Sequence, residues 1–95
     1  MIFRAMRILV VEDDTRMASL LSRALRESGY AVDVVGDGGE AVDHAAYGTY
    51  DLMILDILLN GIDGFAVCRS VRRSESTLPI LICRLDPRSP TECAA

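Results

Sequence analysis

The residues best suited to chemistry are acids at the ends of apolar runs. Glu12-Asp13-Asp14 follows "RILVV" (Arg7–Val11), and Asp56 closes "DLMILD" (Asp51–Asp56). If the two runs lie side by side as strands, their carboxylates converge. Several carboxylates in one crevice repel unless a cation or raised pKa values hold them. A hard divalent cation bound through oxygen suits such a set, and Mg²⁺ typically takes one or two carboxylates together with waters and phosphate oxygens. The triplet has a competing use. Asp14 and Thr15 at a helix start would also serve as an N-cap, with acids complementing the helix dipole. An aspartate closing the apolar run "LMIL" has little structural reason to be there, so Asp56 favours the chemical reading.

The elements that must position these acids can be read from periodicity. Arg7–Val11 has no alternation, as expected of a strand buried on both faces. Met17, Leu20, Leu21, Ala24 and Leu25 follow the spacing of an amphipathic helix, and Gly29 ends it. Tyr30–Val35 reads as a second strand, Gly36–Gly39 as a turn, and Ala41, Val42, Ala45 and Ala46 as a second helix ended by Gly48. After the third strand, the loop "ILLNGIDG" leads to a third helix carrying Phe65, Val67, Cys68 and Val71. "LPILIC" (Leu78–Cys83) is a fourth strand. The order β-α-β-α-β-α-β predicts a parallel sheet with helices on both faces and right-handed crossovers. In such sheets the functional crevice lies beyond the carboxyl ends of the strands, where both sets of acids fall.

Composition narrows the class. Ninety-five residues suit one small domain, which buries only roughly 60–65% of its unfolded surface. Hydrophobic content of 51% with 25% charged residues is that of a globular chain. A net charge of −4 argues against direct nucleic-acid binding; Arg69, Arg72 and Arg73 read as one exposed helix face. Cys68, Cys83 and Cys93 form an odd set without metal-ligand spacing, which predicts reduced thiols in a cytosolic protein. The apolar run Ile8–Val11 is too short for a signal peptide and no segment reaches membrane-spanning length, so a cytoplasmic protein without membrane contact is expected. Met6 would serve as an alternative start. His44, the sole histidine, sits among alanines and reads as solvated or packed. Cys68 falls on an apolar stripe, and "GDGGE" lacks the spacing of a phosphate loop.

"RILVVEDD" together with "YDLMILDILLNGIDGF" resembles the receiver domain of two-component response regulators, over roughly Arg7 to Ile82. "GYAVDVVGDGGEAV" and "FAVCRSVRR" are most similar to the OmpR/PhoB-type subclass, whose members carry a winged-helix DNA-binding domain. The resemblance implies a flavodoxin-like doubly wound parallel sheet, here incomplete. Residues 6–83 would form a partial receiver domain and 84–95 an irregular tail outside the family pattern. It implies that Asp56 takes a phosphoryl group from a sensor histidine kinase. It also implies that Asp13, with Asp14 or Glu12, anchors Mg²⁺ together with Asp56 and the backbone carbonyl of Leu58.

The sequence departs from the family pattern in four places. Leu58 replaces a methionine, a change between apolar residues. Asn60 replaces a proline, removing a φ restraint. Arg84 stands where the family has the Thr or Ser that contacts the phosphoryl group. The family's lysine after a fifth strand has no counterpart, since all ten basic residues are arginines. The last helix, strand and helix of the family are missing together, and the abrupt change after Ile82 is what a shifted reading frame would leave. An uncovered fourth strand and an open apolar face beside the first helix then predict a homodimer or a domain-swapped oligomer. Phosphoryl transfer should be impaired, and a fragment acting only as an interaction or dimerisation module is the competing reading. A Mg²⁺-dependent phosphatase with an aspartate nucleophile fits less well, because no second aspartate follows Asp56 by two residues.

Overall fold

The four apolar runs become the parallel strands of one sheet. The computed structural model describes residues 4–59, 62–74, 76–86, 88 and 92–94. In chain order the elements are β1 (Arg7–Val11), α1 (Thr15–Glu27), β2 (Ala31–Val35), α2 (Gly38–Tyr47), β3 (Leu52–Asp56), β4 (Leu58–Leu59), β5 (Ile62–Asp63), α3 (Gly64–Arg73), β6 (Ile80–Arg84) and β7 (Glu92–Ala94). The main sheet has the order β2-β1-β3-β6-β7, parallel except for its last pair. Such an order, with β1 and β3 central, is the flavodoxin-like arrangement expected from the sequence, with four parallel strands and three helices among the described residues.

Strand period sets the two cores. Leu9 and Val11 of β1 join Met53, Leu55, Ile80 and Ile82 on the face covered by α2 and α3, where Ala41, Val67 and Val71 complete the cluster. Ile8 and Val10 point the other way, with Ile54 and Cys83, against Met17, Leu21 and Leu25 of α1. Each large aliphatic side chain so buried contributes about 1.5–3 kcal/mol relative to exposure. Of the described helices α1 alone covers the second face, and Leu52 and Leu81 there stay partly buried.

Helix ends follow their sequence signals. Gly29 takes a positive φ of 96°, and the N–H groups of Gly29 and Tyr30 donate to the Arg26 and Leu25 carbonyls, closing α1 as a Schellman motif. Asp14, Asp37 and Asp63 cap α1, α2 and α3 with their side chains. The fourth apolar run starts its ladder after Pro79, which has no N–H to donate; the Pro79 carbonyl accepts from Met53 instead.

Three features differ from the sequence reading. Part of the "ILLNGIDG" loop is an antiparallel ribbon, Leu58 opposite Asp63 and Leu59 opposite Ile62. The loosening expected of Asn60 falls on a residue outside the described set. Within 84–95, read as irregular, Glu92–Ala94 folds back as β7, antiparallel to β6 with Cys93 opposite Cys83. Those two cysteines are joined by a disulfide, correcting the expectation of three reduced thiols; only Cys68 is free. Sequence spacing could not reveal this pair, because its partners meet only once β7 reverses onto β6. The edge of β6, expected to be open, is therefore partly covered.

Candidate functional site

Parallel pairing of β1 with β3 brings the two sets of acids together. Register runs Val11 opposite Leu55, so Glu12 and Asp56 end adjacent strands at the same level. Glu12 is 3% exposed and Asp56 7% exposed, while Asp13 faces solvent. Carboxylate oxygens of Glu12, Asp13 and Asp56 all lie within 4.8 Å of one another. They border a cavity of about 410 Å³ whose walls include Ile57, Leu58, Arg84 and Leu85, with Asp86 and Arg88 at its rim.

Asp14 is turned elsewhere. Its Oδ1 accepts the N–H groups of Arg16 and Met17 at 2.9 and 3.1 Å, so its carboxylate caps α1 although the residue borders the cavity. The capping use read from the sequence is realised for Asp14, and the three-acid group forms without it. Leu58 borders the cavity too; its N–H donates to Asp56 Oδ1 at 3.2 Å.

The arrangement is electrostatically unbalanced. Glu12 Oε1 accepts the N–H of Asp14 at 2.9 Å, but Glu12 Oε2 is buried without a partner among the described residues. Burial first, then the Asp56 carboxyl crowded against it, push the Glu12 carboxyl up to about 8, against a smaller lowering by the Asp14 N–H. Three carboxylates around one cavity, one with a buried oxygen lacking a donor, are oxygen ligands of the kind a hard divalent cation takes. Mg²⁺ fits these residues: Glu12, Asp13 and Asp56 could hold it by oxygen.

The sequence reading missed the role of Gly64. Its N–H donates to the Ile57 carbonyl at 2.7 Å, and a Cβ built on it would collide with the Asp56 carbonyl and lie 3.0 Å from Ile57 Cα. Only glycine lets α3 begin this close to the end of β3. The signal was present in "GIDG", a glycine directly after the capping Asp63. On the other side, Ile57 N–H donates to the Cys83 carbonyl at 2.7 Å, so the chain around Asp56 is clamped from two sides. His44 lies elsewhere, on α2, its Nδ1 2.8 Å from the Glu40 carbonyl and its ring 6.4 Å from that of Tyr50. Cys68 packs against the α2–α3 core as expected.

A doubly wound sheet with acids converging at the carboxyl ends of its two central strands puts them in the crevice where α/β domains of this class bind their ligands. The profile of the response regulator receiver domain matches residues 8–91, and the chain belongs to that family. The transcriptional regulatory protein TcrA of Mycobacterium tuberculosis is 51% identical over 76 residues, covering 80% of this chain and 30% of that protein. The response regulator MprA of Mycobacterium avium is 43% identical over 77 residues, 81% of this chain and 34% of that protein. The chain thus spans about a third of the length of these curated relatives. Among solved structures, the receiver domain of the sensor histidine kinase PA1611 of Pseudomonas aeruginosa, described with a magnesium ion coordinated in its active-site cleft, superposes with a TM-score of 0.77. It is 33% identical and covers 83% of this chain and 66% of that one. The response regulator TrrA, solved in complex with the histidine kinase ThkA, gives 0.73 at 39% identity, with 81% and 66% covered.

Proposed function

We propose that this receiver domain accepts a phosphoryl group on Asp56 from a sensor histidine kinase in a Mg²⁺-dependent step. The carrying observation is the convergence of Glu12, Asp13 and Asp56 with a buried Glu12 oxygen left unpartnered. The solved TrrA–ThkA complex and the magnesium described in the PA1611 domain support the partner and the metal. Asp56 supplies the nucleophile: one carboxylate oxygen bonds to phosphorus as the bond to the donor breaks. The Leu58 N–H orients that carboxylate through Oδ1. When bound by Glu12, Asp13, Asp56 and the Leu58 carbonyl, Mg²⁺ would neutralise charge on the transferring group. Asp14 serves this site by fixing the start of α1. The domain acts as a phospho-acceptor in signalling; any catalysis of its own is limited to gaining and losing that group.

Residues 6–83 constitute the receiver-like part in this reading, and 84–95 the tail that contributes β7. The winged-helix subclass, and with it transcription control, belongs to a longer protein of the kind the relatives represent. This chain itself is read as making no nucleic-acid contact, in keeping with its net charge of −4. No described helix is long and apolar enough to cross a membrane, and a kinase-facing role places the domain in the cytoplasm. Self-association by strand pairing or domain swapping belongs to the form in which β7 has left β6.

The second reading, an interaction module without phosphotransfer, is favoured by one observation: Arg84 occupies the cavity wall where a hydroxyl was expected. Incubation with Mg²⁺ and acetyl phosphate, followed by intact-mass measurement, separates the two. The phospho-acceptor reading expects a gain of one phosphoryl group that Asp56→Asn abolishes; an unchanged mass in the wild type sinks it.

A further inference from the structure

The cavity that holds Asp56 already carries three carboxylates, and a phosphoryl group brings more negative charge into it. A divalent cation offsets only part of that sum, so transfer needs a second positive group on the cavity wall. Among the described residues, two arginines border the cavity, Arg84 and Arg88. Arg88 is committed to Asp86: its Nε and its backbone N–H both donate to Asp86 Oδ1, at 3.2 and 2.9 Å. Arg84 acts on Asp86 only through its charge, as the smallest of the influences that hold the Asp86 carboxyl down, and forms no hydrogen bond or ion pair within 4.0 Å with a described residue, Glu92 of β7 included.

Position favours Arg84 as well. β6 runs beside β3 with Cys83 opposite Asp56, and the Cys83 carbonyl accepts the Ile57 N–H. Arg84 is therefore the first residue beyond the level of Asp56 on the neighbouring strand. It is exposed, and it borders both the acidic cavity and the adjoining hollow lined by Ile57, Phe65 and Ile82. We infer that the Arg84 guanidinium is the phosphoryl-binding cation of this site, holding the oxygens of the group that transfers to Asp56. The inference rests on the phospho-acceptor reading given above. In that step an Asp56 oxygen bonds to phosphorus, the phosphorus–donor bond breaks and the donor leaves with its electron pair. Arg84 exchanges no proton; its planar fork pairs with the phosphoryl oxygens. A hydroxyl could not supply that charge, and the sequence contains no lysine to do so.

The test compares the full 95-residue wild type with Arg84→Gln, Arg84→Lys, Arg88→Gln and Asp56→Asn. Each is given Mg²⁺ and acetyl phosphate, and phosphorylation is followed by intact mass. Fluoroberyllate binding is read in parallel by fluorine NMR, and Mg²⁺ affinity by calorimetry. Arg84→Gln should slow phosphoryl gain by about tenfold to a hundredfold, in the range seen for loss of one positioned donor. It should weaken fluoroberyllate binding while leaving Mg²⁺ affinity equal or tighter, because a neighbouring positive charge is gone. Arg84→Lys should recover part of the rate, and Arg88→Gln should leave it within about twofold, as an arginine already paired on the surface contributes little. If wild type and Arg84→Gln react alike, the assignment of Arg84 is overturned and the phospho-acceptor reading stands. An Arg88→Gln loss as large as that of Arg84→Gln also overturns it, since diffuse charge would then suffice. A wild type that neither gains mass nor binds fluoroberyllate overturns both.

Discussion

At one end of the sheet two acids meet arginines; at the other three acids meet one another. Near the amino ends, Asp51 accepts the Arg7 N–H at 2.7 Å and pairs with Arg4 at 3.2 Å. Asp33 accepts from Arg7 Nη2 at 2.9 Å and from the Tyr50 hydroxyl at 2.7 Å, and the Arg7 guanidinium lies 4.8 Å from the Tyr50 ring centre. Both carboxylates have donors, and that hydroxyl, followed by Arg7, holds the Asp33 carboxyl below its usual range. Near the carboxyl ends, Glu12, Asp13 and Asp56 crowd together and Glu12 Oε2 has no described partner. The same residue type thus does two jobs. Matched acids fasten strands at a modest gain; unmatched acids carry a standing cost in stability that a bound cation would offset.

The largest expected effect tests that cost. Glu12 keeps its proton to about pH 8 in the fold, against 4.5 for the free side chain. A raised carboxyl favours the fold while protonated, so its contribution is complete below about pH 4.5 and is lost as pH rises through about 8. Urea denaturation in EDTA should therefore show stability falling between those values, by on the order of a few kcal/mol. Saturating Mg²⁺ should flatten the decline. A metal-free curve that rises across this range would break the comparison.

Next in size is the covalent restraint beside the acidic end. Cys93→Ser, or a strong thiol reductant, removes a cross-link spanning ten residues and should lower stability by about 2–3 kcal/mol. It also frees β7 from β6, so sedimentation should shift toward dimers in reducing buffer. Gly64→Ala should cost about 1–3 kcal/mol by forcing a methyl group against the end of β3. Because Asp56 shifts with that backbone, Mg²⁺ affinity should fall as well, which thermal melts with and without Mg²⁺ would read out. The smallest effect is expected at the matched end. Asp33→Asn should cost no more than about 1 kcal/mol and be erased by salt. The Asp33 contribution is present above the ordinary carboxylate range and lost as pH falls through its depressed value, opposite in sign to that of Glu12.

Much of this was legible in the residues. The unalternating runs Arg7–Val11 and Leu52–Asp56 announce buried parallel strands, and once they are neighbours Glu12 and Asp56 must converge. Gly29 announced the end of α1 because a positive φ is nearly its private conformation. The choice between capping and binding at Asp13-Asp14 was not legible. Both residues are acidic, and only the path of the chain into α1 turns Asp14 inward to its N–H groups. The pairing of Cys83 with Cys93 was hidden for a similar reason, since it depends on a reversal after Arg84 that no periodic pattern marks. Gly64 was visible as a letter but not as a contact; its importance lies in the Asp56 carbonyl it lets pass.

The carboxyl-end acids, and not the acids at large, are proposed to form the cation site around Asp56. Mg²⁺ titration calorimetry on the metal-free chain tests it most directly. The wild type should bind one Mg²⁺, Asp13→Asn and Asp56→Asn should lose that binding, and Asp33→Asn and Asp51→Asn should keep it. Binding that survives in Asp56→Asn, or disappears in Asp33→Asn, would contradict the account.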